Sequence, residues 1–447
     1  MSRDRELTSL CLALAAILLG IALYLSGGFY NVRALELVTV VYVLCVLGVV
    51  LRPRRGADVI VHGALLVVLA AGFAFQSYLL FRETAIWWPV ALMSVAFGSA
   101  LILKPKTLVV WWVSLGLITA IALAHFVIGW SAIRGLVDPN FDVYWCHMQS
   151  LEALLKGINP HSLTIAYEHP DELKYPASYV FDGRVHIGFP YPPLSLFLAL
   201  PGYLAGGDYR YSGLAATTLS AFLIGYARPS RLSLLAAALF LSTPAMSTVL
   251  KMGWTEPFVV LLLALTLFTA CRAPKFLPYT LGLLIAVKQY AIFAALGVFL
   301  LPIEHRTLKS YAVIIIKALA VATAVTLPWM LWNVHGFLSD VVLLQFRLPF
   351  RMDALSYLVW LTYNTGVQPP AVIGFVMIAP AVALMAWRGS RTPAGLAVSV
   401  ALIFLSFFAF NKAAFINYYF FVIGAMCCAI ALAGQSARAA VSGEADG

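Results

Sequence analysis

Asp142 has the clearest capacity for acid–base chemistry in this 447-residue chain. It stands in the run DPNFDVYWCHMQSLEALLKGINPH, inside a polar segment at 131–190 that is much longer than the other connectors. Loops beyond about a dozen residues usually have a task. From Tyr144 to Leu155 the apolar residues recur at helical spacing, which puts Asp142 at or near a helix N-terminus and makes Gly157 the C-terminal stop. A carboxylate there has two readings. It can satisfy the free N–H groups and the dipole of the helix, or it can take the proton of an acceptor hydroxyl and turn that oxygen into a nucleophile. Asp138 is an alternative base, although Pro139 directly after it suits a turn.

The elements that must position this residue are membrane helices. The chain is 62% hydrophobic and 11% charged, against roughly 25% charged in soluble domains. Apolar segments recur from Leu7 to Ala433 and no cleavage signature follows the first, so that segment reads as a retained span. A helix satisfies its own backbone hydrogen bonds in lipid and needs about 20 apolar residues to cross. Spans are expected near 7–25, 36–51, 58–80, 86–103 and 108–130. After the long loop they are expected near 211–227, 233–250, 256–271, 277–301, 310–332, 369–387, 393–410 and 415–434. The fold expected is an all-α polytopic membrane protein of about 13 or 14 membrane segments.

The formal charge of +10 lies in short clusters between apolar runs, which indicates membrane orientation and argues against nucleic-acid binding. Arg3 with Arg5, Arg52 to Arg55, Lys104 with Lys106, Arg388 with Arg391, and Arg438 all come out cytoplasmic if the N-terminus is inside. Residues 131–190, 333–368 and 411–417 then face outward. In the middle, Arg228 with Arg231, Arg272 with Lys275, and Arg306 with Lys309 cannot all be inside if every run crosses once. One run is therefore expected not to cross, either 192–205, which Pro201 interrupts, or 277–301, which Lys288 and Gln289 break.

Several other chemistries have no signature. There is no phosphate-binding Gly-x-x-x-x-Gly-Lys-Ser/Thr loop, no Gly-x-Ser-x-Gly elbow and no Gly-x-Gly-x-x-Gly fingerprint. His147, His161, His169 and His186 share the loop with Glu168, Asp171 and Glu172, but their spacing matches no zinc motif and no metal ligand is assigned. Tyr167, Tyr175, Tyr179, Phe181 and Phe189 suit either stacking on sugar faces or an interfacial aromatic belt.

The order FDVYW, LLKGINPH and YPPLSLFLALP resembles polyprenol-phosphate-sugar-dependent glycosyltransferases of the GT-C fold, in particular the mannosyl- and arabinofuranosyltransferase-like group. The elements that match are Asp142 with Tyr144, Gly157 with Asn159 and Pro160, and Tyr191 with Pro192 and Pro193. His161 stands where Tyr is common. GWTEP at 253–257, VKQY at 287–290, FRLPFRMDALSY at 346–357 and NKAAFINYY at 411–419 extend the likeness across 108–434. The resemblance implies a catalytic membrane region over those residues, extra spans over 1–107 and a disordered cytoplasmic tail at 435–447.

It also implies a GT-C-like bundle and an inverting transfer of mannose or arabinofuranose from a polyprenyl monophosphate. The acceptor would be a hydroxyl of a glycolipid, polysaccharide or protein, on the outer face of a bacterial-type plasma membrane. Asp142 would be the general base. Arg351, Lys288, Arg347 and Lys412 would hold the donor phosphate, which arginine can grip bidentately. Tyr144, Asn159, His161, Tyr191, Trp254, Glu256, Gln289, Asn417 and Tyr418 would line the sugar and acceptor site. Each outer cation also has the simpler reading of a snorkelling interfacial residue. A charge in an apolar segment is costly unless paired or functional, so Lys288 and Glu256 either pair with each other or serve ligand chemistry. Members of that family differ in whether they bind a divalent cation, and the cofactor stays open. The rival reading is a transporter or lipid flippase that uses Lys288 and Glu256 as coupling residues.

Overall fold

The computed structural model describes residues 3–51, 58–102, 108–168, 175–176, 179–182, 184–301 and 307–433. The clusters at 52–55 and 104–106, Arg306, His169, Asp171, Glu172 and the tail from 435 lie outside them. So do the side chains of Arg3, Arg5, Tyr167, Glu168 and Phe181.

Long apolar runs become helices here because no other open structure pairs its backbone in lipid. α1 (Arg3–Ser26), α2 (Val32–Val50), α3 (Asp58–Thr84), α4 (Trp87–Ile102) and α5 (Leu108–Arg134) precede the long loop. The loop holds α6 (Asp142–Leu155), three short strands and α7 (Leu194–Gly206). Then come α8 (Arg210–Ala227), α9 (Arg231–Leu241), α10 (Ala245–Met252), α11 (Glu256–Arg272), α12 (Leu277–Val287), a 3₁₀ helix over Gln289–Leu300, and α13 (Leu308–Trp332). Short α14 (Val334–Phe337) and α15 (Leu344–Arg347) flank a π-turn at Leu338–Leu343. The chain ends with α16 (Tyr357–Thr365), α17 (Ile373–Val376), α18 (Ile378–Arg388), α19 (Pro393–Ala409) and α20 (Ile416–Ala433). Among the described residues, six of these helices are long and apolar enough to cross a membrane alone, or seven if α9 and α10, bent by 54°, are taken as one span. The bend falls at Ser242–Thr243–Pro244, where proline removes a backbone donor.

The helices segregate their ends. At one end the chain after α1 pairs with the loop at 348–356, Tyr30 N donating to the Asp353 carbonyl at 2.8 Å. Thr39 of α2 bonds Tyr357 there at 2.8 Å, and Asn333 after α13 reaches the His161 carbonyl at 3.0 Å. At the other end Thr8 Oγ1 donates to the Gly48 carbonyl at 2.6 Å, and Arg272 Nε donates to the Ala227 carbonyl at 3.0 Å. The helices of 1–107 belong to the same bundle, since α1 packs against α2, α3 and α20.

These contacts correct the expectation that a single central run fails to cross, because neither candidate crosses. α7 has thirteen residues, roughly 20 Å at 1.5 Å per residue, where a span needs ~30 Å. Both its ends stay at the loop-bearing end: Tyr191 precedes it, and Arg210 directly after it bonds the Leu136 carbonyl at 2.7 Å. The run 277–301 is a hairpin. Thr280 of α12 meets Thr269 near the far end of α11 at 2.9 Å, Lys288 reaches Glu256 at the near end of α11, and Leu301 accepts from Tyr311 of α13 back at the far end at 3.3 Å. With both runs turned back, Arg272 and Lys309 fall on the same side, as the charge rule requires.

Part of the polar stretch at 165–187, expected as loop, forms an antiparallel sheet in the order β1–β3–β2. The strands are β1 (Ile165–Glu168), β2 (Val180–Phe181) and β3 (Arg184–Ile187), and Ile165 pairs with Ile187. Val185 and Ile187 are buried and Arg184 is exposed, so the strand alternates, although over too few residues for the period to stand out.

Candidate functional site

Asp142 is the first residue of α6. Phe141 before it is extended and makes no side-chain cap, and its ring packs edge-on against Trp254 at 5.0 Å. The Asp142 carboxylate is half-buried and accepts two hydrogen bonds: Val143 N to Oδ1 at 2.7 Å and the Tyr175 hydroxyl to Oδ2 at 2.7 Å. At the first turn of a helix the dipole favours this negative charge. Gly157, with φ +73°, ends the helix in the left-handed conformation that glycine accepts most readily. Asp138 sits in the turn ahead, where its Oδ1 accepts from Asn140 N at 2.8 Å.

Arg210 anchors that turn. It is 2% exposed and its guanidinium donates to the carbonyls of Leu136 at 2.7 Å, Val137 at 2.9 Å and Lys251 at 2.8 Å. Asp208 neutralises it at 2.6 Å, and the Tyr144 ring lies 4.8 Å below its charge. Tyr144 thus packs on the support of the site. The sequence reading missed Arg210, because its partners are backbone carbonyls far along the chain.

The tip of the hairpin carries the buried cation. α12 stops at Val287, and Lys288 is extended (φ −154°, ψ 145°) before the 3₁₀ helix begins. Lys288 is 5% exposed and Glu256 0% exposed. Lys288 Nζ donates to Glu256 Oε1 at 2.5 Å and to Thr255 Oγ1 at 3.0 Å. The Tyr290 hydroxyl donates to the same Glu256 oxygen at 3.0 Å, whereas Oε2 has no hydrogen-bond partner among the described residues. The sequence left pairing or ligand chemistry open for Lys288 and Glu256, and here they are an ion pair. The ammonium is also ringed by aromatic faces, 5.4 Å from Tyr191, 5.7 Å from Tyr290 and 5.8 Å from Tyr418.

Tyr191 joins the two halves. Burial first, then the Asp142 carboxylate, with Glu256 adding, push its phenol well above the usual range, so it remains a neutral donor. Tyr418 lies within electrostatic reach of Glu256, Asp142 and Arg351. His147, one turn after Asp142, donates Nδ1–H to the Val143 carbonyl at 2.9 Å. Burial pushes its pKa down to about 3, so it is neutral.

Asp142, Tyr191, Trp254, Glu256, Lys288 and Tyr418 thus lie near one another, while the other candidates are placed as follows. Arg351 forks onto Asp353 at 2.8 and 2.7 Å and stacks on Phe415 at 4.6 Å. Lys412 Nζ donates to the Leu348 carbonyl at 2.6 Å, and burial lowers its pKa. Arg347 donates to the Tyr179 hydroxyl at 3.2 Å. Asn159 caps a 3₁₀ turn through His161 N at 3.0 Å, and the buried His161 ring lies against Phe337 at 4.9 Å. Gln289 bridges the Pro190 and Val341 carbonyls at 2.6 and 3.1 Å. Asn417 is 3% exposed beside Tyr418, and its Oδ1 has no partner among the described residues. Among the described residues no group of three or more His, Cys, Asp or Glu is arranged to hold a metal ion.

No family model and no curated protein matches this chain. Among solved structures, the chain is similar to a crystal structure of ArnT from Cupriavidus metallidurans bound to undecaprenyl phosphate. The identity is 17% and the TM-score 0.48, over 73% of this chain and 60% of that one. The chain spans less than two thirds of that protein's length, and likeness of this degree leaves its family open.

Proposed function

We propose that this chain is a membrane glycosyltransferase that moves a sugar from a polyprenyl monophosphate to an acceptor hydroxyl on the non-cytoplasmic face of a bacterial-type plasma membrane. Mannose and arabinofuranose are the first donors to try, and the acceptor is a glycolipid, polysaccharide or protein. The observation that supports this most is Tyr191, whose ring lies 5.4 Å from the Lys288 ammonium at the hairpin tip and whose phenol is raised by burial and by the nearby Asp142 carboxylate at the start of α6. A base and a buried cation near one tyrosine suit a displacement in which a proton leaves one reactant and negative charge grows on the other.

In this reading Asp142 accepts the proton of the acceptor hydroxyl. That oxygen attacks the anomeric carbon, the carbon–oxygen bond to the phosphate breaks, and its electron pair leaves on the lipid phosphate. One displacement inverts the centre. Lys288 meets the growing phosphate charge, with Arg351, Arg347 and Lys412 farther out. Glu256, through its free Oε2, and Trp254 orient sugar hydroxyls, with Tyr144, Asn159, His161, Tyr191, Gln289, Asn417 and Tyr418 shaping or supporting the pocket.

The test is the purified protein with radiolabelled polyprenyl-phosphate sugars and an acceptor extract. Glycoside formation that disappears in Asp142→Asn supports the reading, and donor left unconsumed across the panel defeats it. A buried ion pair at the tip of a membrane hairpin also suits a transporter or flippase. Net movement of lipid or substrate across vesicles without any glycoside would favour that alternative.

A further inference from the structure

Asp340 is an acidic side chain that the reaction drawn above does not use. It lies on the π-turn Leu338–Leu343, a rare conformation that gathers at functional sites. Its carboxyl is pressed against the chain just before Tyr191: a Cβ built at Gly188 would meet Asp340 Oδ2 at 1.7 Å, so any side chain there pushes the carboxyl away. The turn is stapled to the site at two points. Gln289, next to Lys288, holds the Val341 carbonyl at 3.1 Å and the Pro190 carbonyl at 2.6 Å. Asn333 holds the His161 carbonyl and Ser162 Oγ, each at 3.0 Å. Asp340 and Asp142 both lie within electrostatic reach of the Cys146 thiol, one turn beyond Asp142 on α6, so the two carboxyls border the same stretch of that helix.

We propose that Asp340 is a donor-binding residue whose carboxyl hydrogen bonds to a phosphate oxygen of the lipid carrier. The inference rests on the reading of this site as one for a polyprenyl phosphate. Asp142 and Glu256 already bring carboxylates to the site, and a further ionised one would repel an anionic phosphate. A carboxyl that keeps its proton donates instead. Burial raises Asp340 to about 7, partly offset by a hydrogen bond from Ser339. The titratable and charged groups on the elements packed against it are His335 on α14 and Arg347 on α15, with Cys146 of α6 within its electrostatic reach and the Tyr191 phenol following Gly188. Lipid phosphate and proton therefore bind together, and affinity falls as pH rises past the point where Asp340 ionises.

The experiment measures binding of undecaprenyl phosphate to the purified full-length protein in detergent between about pH 6 and about pH 8.5. Wild-type affinity should weaken on the order of tenfold across that range, the limit being one linked proton. Asp340→Asn, neutral throughout, should match wild type at low pH and lose most of the pH dependence, keeping only that of the phosphate itself. Asp340→Ala and Gly188→Ala should bind weakly at every pH. A pH dependence in Asp340→Asn equal to that of wild type, or wild-type binding by Asp340→Ala, overturns the proposal. Wild-type protein that binds no undecaprenyl phosphate at any pH overturns the functional reading beneath it as well, so the two failures are distinct.

Discussion

The Tyr175 hydroxyl donates a 2.7 Å hydrogen bond to Asp142 Oδ2, joining the connection between β1 and β2 to the first residue of α6. With Val143 N on Oδ1, the bond fixes the plane of the carboxylate. Asp142→Asn should retain the fold and lose transfer by about 10²–10⁴, the usual contribution of a general base. Tyr175→Phe should lose only about fivefold, in line with one net hydrogen bond of ~1 kcal/mol. Initial rates of glycoside formation, beside a size-exclusion profile, check both; equal rates for Asp142→Asn and wild type would remove the base.

Lys288→Met leaves Glu256 charged and fully enclosed. Breaking a buried pair on one side costs about 3–5 kcal/mol, whereas replacing both charges is often neutral. Thermal unfolding in detergent should therefore show a large loss in Lys288→Met and a return towards wild type in Lys288→Met/Glu256→Gln. Neither variant should catalyse transfer. A Lys288→Met protein that melts like wild type contradicts the pairing.

Arg210→Lys keeps the charge but cannot spread donors over three carbonyls and a carboxylate. The carbonyls of Leu136 and Val137 lose their partner, at a cost on the order of 2–4 kcal/mol. Hydrogen exchange of residues 136–142 should accelerate in this variant, and catalysis should fall although no ligand group is altered. Unchanged exchange there would show that the turn holds without the fork.

The pH dependence of stability carries its own sign. Asp340 has a raised pKa in the folded protein, about 7, against about 3.9 when unfolded. Between those values the folded state binds more protons, so stability from this group falls as pH rises through the window and stays low above it. Asp340→Asn should melt at the same temperature as wild type near pH 4 and at a higher one near pH 8. A gap that is constant with pH would mean that the carboxyl titrates normally.

Much of this architecture could be read from residue order, because lipid makes a coarse demand: long apolar stretches must become helices. The boundaries of α6 were legible for the same kind of reason, with helical spacing after Asp142 and a glycine at the stop. Hydropathy could not reveal the path of 277–301, since it reports which solvent a segment prefers and is blind to whether the chain passes through or turns back. Nor could it separate Asp340 from an ordinary loop acid, for what distinguishes Asp340 is the bare Cα of Gly188 against it. The local partners of Arg351 and Lys412 were hidden too, being decided by backbone and carboxylate neighbours that only folding assembles.

The doubling back of 277–301 constrains the order of biogenesis. Freshly synthesised, this segment would carry an unmatched ammonium into hydrocarbon at its apex, which insertion machinery disfavours. Its counter-charge comes from α11 and one wall of its tyrosine cradle, Tyr191, from the stretch before α7, both made earlier, whereas Tyr418 arrives last with α20. The apex can settle only once Glu256 and Tyr191 are in place, and Tyr418 of α20 closes the cradle afterwards.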